Sequence, residues 1–513
     1  MAIPAILRLA GKRTVMVMQD DPDTERSLTY LRALSDQTRW RIARLLARTS
    51  GPLTLGEIAT RLDLSDYNAS RHVRVLNEAG ILTVERDGRF KRIAITSHLK
   101  SRIRYQSGSE WLDLGCCRFN FSQGIPVEEE GKRLCEPATV TSVPPMATPA
   151  RYIMIGGFLG AGKTTAIAEV AKYLDGEGKR VGLITNDQGR DLVDTRMLRS
   201  RGFATEEIAG GCFCCKFNSL VDAAGRLTED ATPDVFIAEP VGSCTDLVAT
   251  VTYPLRRIYG DKFTIAPLSV LVDPMRARRI LGLDEGRTFS EKVLYIYRKQ
   301  LEEADIIVIS KKDLLDEATE EELRAALCRE FPEARILSIS SRTGEGMEDW
   351  FSILEAEDQV MRSSMEIDYD VYADGEALLG WLNSTIDVSV ADEVDAAPLL
   401  SAIARQIHGR LEEEGAEVAH LKMTLSPDNA FAGEVAVINL VRNDFAPEFG
   451  QELEEPITGG QIILNLRAEA DPELLEKIVN VSLAEVTSSE CALELEHLER
   501  FQPGRPVPTH RDA

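Results

Sequence analysis

Apolar positions recur at helical spacing through Leu31, Leu34, Ile42, Leu45 and Leu46, and Gly51-Pro52 ends that run. A short helix is expected through Leu55, Ile58, Ala59 and Leu62. Ser65 then stands as an N-cap for a helix that runs to Glu78 and stops at Ala79-Gly80. The runs Ile81–Val84 and Phe90–Thr96 flank Asp87-Gly88, a tight-turn pair that predicts a hairpin. Helices followed by a two-stranded wing make a winged helix-turn-helix, assigned to residues 1–104. Periodicity fades over 105–150, where Pro126, Pro137, Pro144, Pro145 and Pro149 accumulate, so this stretch reads as a linker with one ordered patch around Trp111 to Phe121.

Strands and helices then alternate. Tyr152–Gly156, Val181–Thr185, Val235–Ala238, Leu268–Val272, Ile306–Ser310 and Ile336–Ile339 are short apolar runs separated by helical stretches, the pattern of a parallel sheet buried on both faces. This predicts an α/β domain over 151–362. From 363 to 513 strand-like His420–Leu425, Val435–Leu440 and Ile462–Leu466 mix with helical Leu399–Leu411 and Pro472–Val479, which predicts a smaller acidic α+β domain.

Length supports this division, because 513 residues exceed one ordinary domain. A 44% hydrophobic and 28% charged composition excludes a wholly disordered chain. No apolar run reaches the roughly 18 residues that cross a bilayer, and the opening residues lack the basic start of a signal peptide. A cytoplasmic protein with no membrane partner is expected. The net charge of −24 is unevenly spread: residues 1–104 carry 19 Lys and Arg against 11 Asp and Glu, a net of +8, and the remainder a net of −32. A basic front end suits a polyanionic partner.

The chemistry begins at Gly157-Phe158-Leu159-Gly160-Ala161-Gly162-Lys163-Thr164, which matches G-x-x-x-x-G-K-[ST] directly between a strand and a helix. Gly157, Gly160 and Gly162 let the backbone N–H groups wrap phosphate oxygens, and the helix N-terminus favours the anion. Lys163 is expected to reach the β and γ phosphates and the Thr164 hydroxyl to hold Mg²⁺. The domain is therefore a P-loop NTPase. Lys311 and Asp313, in Ser310-Lys311-Lys312-Asp313, follow a strand and resemble the Asn-Lys-x-Asp signature of GTPases, with Ser310 where Asn is usual. A carboxylate at Asp313 accepts two hydrogen bonds from guanine that adenine does not offer, and Ser340-Ser341-Arg342 fits a further base-contacting loop. Glu239, in Glu239-Pro240-Val241-Gly242, closes an apolar strand and is expected to face the γ-phosphate, through Mg²⁺-bound water or the attacking water. Asp187 ends another strand and is either a second switch residue or a turn residue.

The nine cysteines do not form a disulfide scaffold. Cys212, Cys214 and Cys215 place three thiolates within four residues, a donor set that suits Zn²⁺, with cobalt, nickel or iron as other thiophilic choices. Water, a substrate thiol or Cys244 could complete the site. Cys116, Cys117 and Cys135 read equally as a buried group or as ligands.

Gly157 to Thr165, Cys212 to Cys215, Glu239-x-x-Gly242 and Lys311-x-Asp313, in this order, resemble the CobW group of metal-trafficking GTPases, related to HypB and UreG. The resemblance covers about 151–362. It implies GTP and Mg²⁺ at the P-loop, with Thr165 among the nucleotide-binding residues and Lys163 and Glu239 carrying catalysis. It also implies a metallochaperone or metalloenzyme activator that serves a client metalloprotein. Leu31 to Ile42 and Ser70 to Gly80 resemble the ArsR/SmtB winged-helix repressors. That resemblance implies a homodimer on operator DNA, read by Ser65, Tyr67, Asn68, Arg71 and Arg74 of the recognition helix, while Ala69, Val73 and Leu76 pack inward. Arg89, with Arg86, Lys91 and Arg92, would neutralise phosphate from the wing. His72 reads as structural, and no thiol occupies the stretch where such repressors carry a metal sensor. The basic wing favours a metal-linked transcriptional regulator with GTPase activity over the alternative, a plain metallochaperone whose winged helix dimerises or docks a partner.

Overall fold

The computed structural model describes residues 6–9, 12–15, 29–30, 33–34, 37–49, 51–62, 64, 66–87, 90–100, 103–106, 109–113, 118–120, 149–187, 198, 203–209, 211–428 and 434–512. They divide into two compact units, Met1–Pro137 with Pro427–Glu434, and Ala138–Ser426 with Val435–Ala513. Among the described residues no helix is long and apolar enough to cross a membrane.

In the first unit, α1 (Gln37–Arg48), β1 (Leu53–Thr54), α2 (Leu55–Leu62), α3 (Asp66–Glu78), β2 (Leu82–Asp87) and β3 (Phe90–Ile95) follow in order. The strands pair β1-β3-β2, with Asp87 opposite Phe90 at the wing turn. Helix α2 begins with a reciprocal cap: Glu57 accepts from the Thr54 amide and hydroxyl at 2.7 and 2.8 Å, and its own amide donates back to Thr54 Oγ1. Ile42, Ile58, Ala69, Val73, Leu76 and Ile93 form the core, so the inward face expected for α3 is the buried one. The ordered patch expected inside the linker forms a small antiparallel sheet, Ile103–Gln106, Ser109–Asp113 and Arg118–Asn120. Cys116, Cys117 and Cys135 lie outside the described residues.

The second unit opens with β4 (Ala150–Gly157) and α4 (Lys163–Gly176), then β5 (Val181–Asp187), β6 (Ala204–Ala209), α5 (Phe217–Ala231) and β7 (Val235–Glu239). It continues through β8 (Phe263–Ile265), β9 (Ser269–Val272), β10 (Ile306–Ile309) and β11 (Arg335–Ser338). The sheet runs β6-β5-β7-β4-β9-β10-β11, with β8 also paired to β4, and its recorded pairings are parallel. Separate apolar clusters include Phe236, Val270 and Ile307 on one side, and Ile153, Leu183 and Val308 on the other. Each of β7, β9 and β10 is buried along its whole length, which is why its sequence reads as a continuous apolar run.

Six more strands complete this unit. They are β12 (Leu379–Val394), β13 (Glu417–Pro427), β14 (Ala436–Leu440), β15 (Glu448–Gln451), β16 (Ile457–Glu469) and β17 (Cys491–Phe501). Their order is β15-β14-β13-β16-β12-β17, and the recorded pairings are antiparallel. Helices α6 (Ala396–Glu413) and α7 (Pro472–Val486) pack their buried faces into this sheet's core.

Candidate nucleotide and thiolate site

The loop between β4 and α4 is the P-loop. Gly157 has φ +130°, and a Cβ there would stand 2.3 Å from the Leu271 carbonyl oxygen, so only glycine fits so close to β9. Lys163 is buried and folds back over its own loop, its Nζ 3.4 Å from the Phe158 carbonyl. Next to it Thr164 Oγ1 donates to Glu239 Oε1 at 2.9 Å. Glu239 ends β7, so the hydroxyl and carboxylate expected to serve Mg²⁺ are in contact although 75 positions separate them. This donor set of one hydroxyl and one carboxylate, both oxygen, fits a hard divalent cation.

These groups line a cleft of about 390 Å³ at the carboxyl ends of the strands, where open α/β sheets bind ligands. Gly160, Gly162, Lys163, Thr164, Thr165, Glu239, Lys311 and Asp313 all line it. Asp187 ends β5, but its side chain lies outside what the structure describes. Lys311, at φ +50°, crosses back to the P-loop, with Nζ 3.2 Å from the Gly160 oxygen and 2.7 Å from Asp273 Oδ2. Burial alone would raise the Asp273 carboxyl pKa, yet the Lys311, Arg442 and Arg276 cations hold it well below the usual range. Asp313 is oriented by Ser340, whose hydroxyl donates to Oδ1 at 2.6 Å, with Arg342 3.8 Å from Oδ2. Ser310 is buried and donates to the Val272 carbonyl at 2.9 Å, so the hydroxyl in the usual Asn position fastens β10 to β9.

The thiolate loop leaves β6, an edge strand that the apolar pattern did not reveal. Its sequence, Ala-Thr-Glu-Glu-Ile-Ala, places polar residues on an edge that needs no second apolar face. The three sulfurs lie 2.7 Å (Cys212–Cys214), 3.2 Å (Cys212–Cys215) and 3.7 Å (Cys214–Cys215) apart. Tetrahedral zinc with Zn–S near 2.3 Å requires sulfurs roughly 3.8 Å apart, so a small spreading of the loop admits the ion. All three ligand atoms fall within 4.8 Å of one another. S–H donation from Cys214, Cys215 and Cys244 drives the Cys212 thiol well below its usual pKa. The thiols that donate are pushed the other way, Cys214 well up by its bonding to Cys212 and Cys215 up to about 11. A soft cation binding this cluster displaces the protons that the thiols still hold.

Two links join this loop to the nucleotide cleft. Asn186, buried at the end of β5 and lining the cleft, donates from Nδ2 to the Ile208 oxygen at 2.9 Å and to the Gly211 oxygen at 2.7 Å. Five residues after Glu239, the buried Cys244 shares an apolar cluster with Cys212 and Cys214 and helps to lower the Cys212 pKa. The final segment of the chain also reaches the loop: the Val507 amide donates to Cys215 Sγ at 3.2 Å, and the Thr509 amide to the Cys214 oxygen at 2.8 Å. Asn186 belongs to the Asn186-Asp187-Gln188-Gly189 switch candidate of the sequence, whereas neither Val507 nor Thr509 carries a sequence signal, because their amides act through the backbone.

In the first unit, Ser65 and Arg89 lie outside the described residues, and Tyr67 and Asn68 sit on α3 with side chains that are not described. Arg74 is exposed, as DNA contact requires. Arg71 is not: it is 6% exposed and its guanidinium lies 2.6 Å from Asp428. That ion pair joins residues 357 positions apart, so no local pattern could have announced it.

Residues 151–338 match the family model described as CobW/HypB/UreG, nucleotide-binding domain, and residues 34–85 match a helix-turn-helix domain. The chain is 33% identical over 178 residues to the zinc chaperone YeiR of Escherichia coli, covering 34% of this chain and 50% of that protein. It is 31% identical over 182 residues to the zinc chaperone CobW of Sinorhizobium sp, covering 32% and 51%. The match thus spans about half the length of these curated relatives. Among solved structures, Zn(II)-bound YjiA GTPase from E. coli aligns at 17% identity and TM-score 0.27, over 66% of this chain and 100% of that one. The homodimeric winged helix-turn-helix domain Mb0332 from Mycobacterium bovis, a possible ArsR-family regulator, aligns at 24% identity and TM-score 0.15, over 17% and 82%. Residues 151–338 of the chain are a CobW/HypB/UreG nucleotide-binding domain, with zinc chaperones among the chain's homologues, and a helix-turn-helix domain precedes it in the sequence.

Proposed function

We propose that this protein binds and hydrolyses GTP, handles zinc at Cys212, Cys214 and Cys215, and couples the two to an operator-binding winged helix as a metal-linked regulator. The observation that carries the reading is the segment from Glu239 to Cys244, which bonds to the P-loop Thr164 at one end and is buried in one cluster with Cys212 and Cys214 at the other. Thr164 and Glu239 would hold Mg²⁺, which supplies charge neutralisation between the β and γ phosphates. Lys163 binds the same oxygens, Gly157, Gly160, Gly162 and Thr165 shape the phosphate cradle, and Lys311 and Asp313 receive guanine. Asp187, one residue beyond Asn186, is placed with the switch elements. The zinc chaperones among the homologues support zinc as the ion. Domains divide as 1–104, 105–150, 151–362 and 363–513, the protein is cytoplasmic, and its client is a metalloprotein.

Asp313 makes the nucleotide claim testable. Steady-state hydrolysis should favour GTP over ATP by at least about tenfold, since a guanine-directed carboxylate left unpaired by adenine costs more than about 1.4 kcal/mol. Equal turnover of the two would reject guanine as the base.

For the DNA arm, Arg74 is the exposed recognition-helix cation, with Ser65, Tyr67, Asn68 and Arg89 as further contacts and a homodimer bridging two half-sites. Full-length protein should retard its own promoter at low salt, and Arg74→Ala should weaken that complex and flatten its salt dependence. Absence of retardation, both apo and zinc-loaded, would favour the second reading, in which the winged helix dimerises or docks a partner. The burial of Arg71 against Asp428 is the observation that speaks for it.

A further inference from the structure

The most telling feature outside the P-loop itself is what the last sheet brings to it. On β13, Leu421, Met423 and Leu425 point into that sheet's own core, while His420 and Lys422 line the nucleotide cleft. Lys422 Nζ stands 3.3 Å from Thr164 Oγ1. That hydroxyl is the P-loop group that would hold Mg²⁺ beside the phosphates. An ammonium at this point of the cleft would be within reach of a phosphoryl group seated on the P-loop.

The placement is fixed by buried contacts. Arg276, 5% exposed, donates to the P-loop oxygen of Leu159 at 3.1 Å and to the Val418 and Ala419 oxygens at 3.1 and 3.3 Å, and it also bonds the Val441 oxygen. Arg442 reaches Asp273 Oδ1 at 2.7 Å, on the carboxylate whose other oxygen holds Lys311. The fit at the P-loop is close: a Cβ on Gly160 would meet the Ala419 oxygen at 3.0 Å and Val441 Cβ at 3.1 Å. His420, buried beside Lys422, has its pKa pushed well down by burial and by the Lys422, Arg467, Lys163 and Arg276 cations. It stays neutral and leaves the positive charge to the lysines.

We propose that Lys422 is a catalytic residue, a cation supplied within the chain by the C-terminal sheet to stabilise phosphoryl transfer. It does for the γ-phosphate what an arginine supplied from outside the P-loop does in other NTPases. This rests on the reading that the cleft hydrolyses GTP. In the step, the oxygen of water bonds to the γ-phosphorus and the bond from that phosphorus to the β–γ bridging oxygen breaks. The products are GDP and inorganic phosphate, and the proton lost by water passes to solvent. Lys422 keeps its protons and donates a hydrogen bond to a γ-oxygen as charge builds there, while Lys163 serves the β–γ side. The C-terminal sheet thereby becomes part of the active site.

The test compares wild type, Lys422→Ala, Lys422→Met and Lys422→Arg in the full-length protein. The Ala and Met variants should lose about 10²-fold in kcat, a loss typical of removing one preorganised transition-state donor. Their affinity for a non-hydrolysable GTP analogue should change by less than about threefold, while binding of GDP–aluminium fluoride weakens in step with kcat. The Arg variant should recover much of the rate. Unchanged kcat in Lys422→Met with an active wild type would overturn the role of Lys422 alone. Equal losses in kcat and in binding of the ground-state analogue would also overturn it, because they mark a structural role. A wild type without GTP turnover would instead remove the underlying hydrolase reading, and the proposal with it.

Discussion

Replacing Cys214 by serine is expected to weaken zinc binding by about a hundredfold or more, read by competition with a chromophoric chelator. Loss of an outer-shell partner alone commonly costs 10–100-fold, and here a ligating sulfur is lost. Cys214 is buried, as Cys212 is, and its sulfur touches both others, so its removal takes a ligand from the interior of the cluster. The pH dependence follows from the same bonds. Hydrogen bonding within the cluster pushes the Cys212 thiol pKa well down and pushes those of Cys214 and Cys215 up, the latter to about 11. Zinc must displace the protons that the thiols still hold, so apparent affinity rises with pH and falls as solution becomes acidic, by up to about tenfold per pH unit for each proton released. In Cys214→Ser one of these proton-releasing thiols is gone, and the slope should flatten. Full zinc affinity with an unchanged slope in the variant would move the metal elsewhere.

Lys163→Ala is expected to lower GTP turnover by at least about a hundredfold. Its ammonium is the P-loop charge proposed to meet the β and γ oxygens, and its burial would make such a contact stronger than it is in water. Because Lys163 folds over its own loop through the Phe158 carbonyl, the variant loses one weak internal bond, and the glycine-shaped loop should persist. The loss should therefore appear in turnover with little change in thermal stability. Unaltered hydrolysis would place the active site outside the P-loop.

How much of this was written locally in the chain differs from element to element. The P-loop, the Lys311–Asp313 turn and the cysteine triplet were legible, since each packs its chemistry into a few consecutive residues. The inner strands β7, β9 and β10 were legible too, because burial on both faces demands unbroken apolar runs. The edge strand β6 and the long strand β12 were not: β6 carries Thr205, Glu206 and Glu207, and the outer half of β12 is exposed, so neither shows a continuous apolar signal. Contacts made across large separations were likewise invisible. Asn186 bridges the cleft to the thiolate loop, Arg276 and Arg442 join the last sheet to the P-loop, and Lys422 reaches Thr164 across 258 positions. Arg71 shows the converse, a residue whose helical position suggests an open DNA-facing role but whose side chain is paired with Asp428. Periodicity records which face of an element is buried, and it is silent about which partner arrives from elsewhere in the chain.

The central claim is that nucleotide and thiophilic ion act on one switch, with Glu239 at one end and Cys244 near the other. Zinc affinity of the reduced full-length protein, titrated with Mg²⁺ and saturating non-hydrolysable GTP analogue and again with GDP, tests it most directly. The account predicts affinities that differ by at least about fivefold, the lower bound of ordinary coupling between sites, with the difference lost in Lys163→Ala. Identical zinc affinity in both nucleotide states would contradict it.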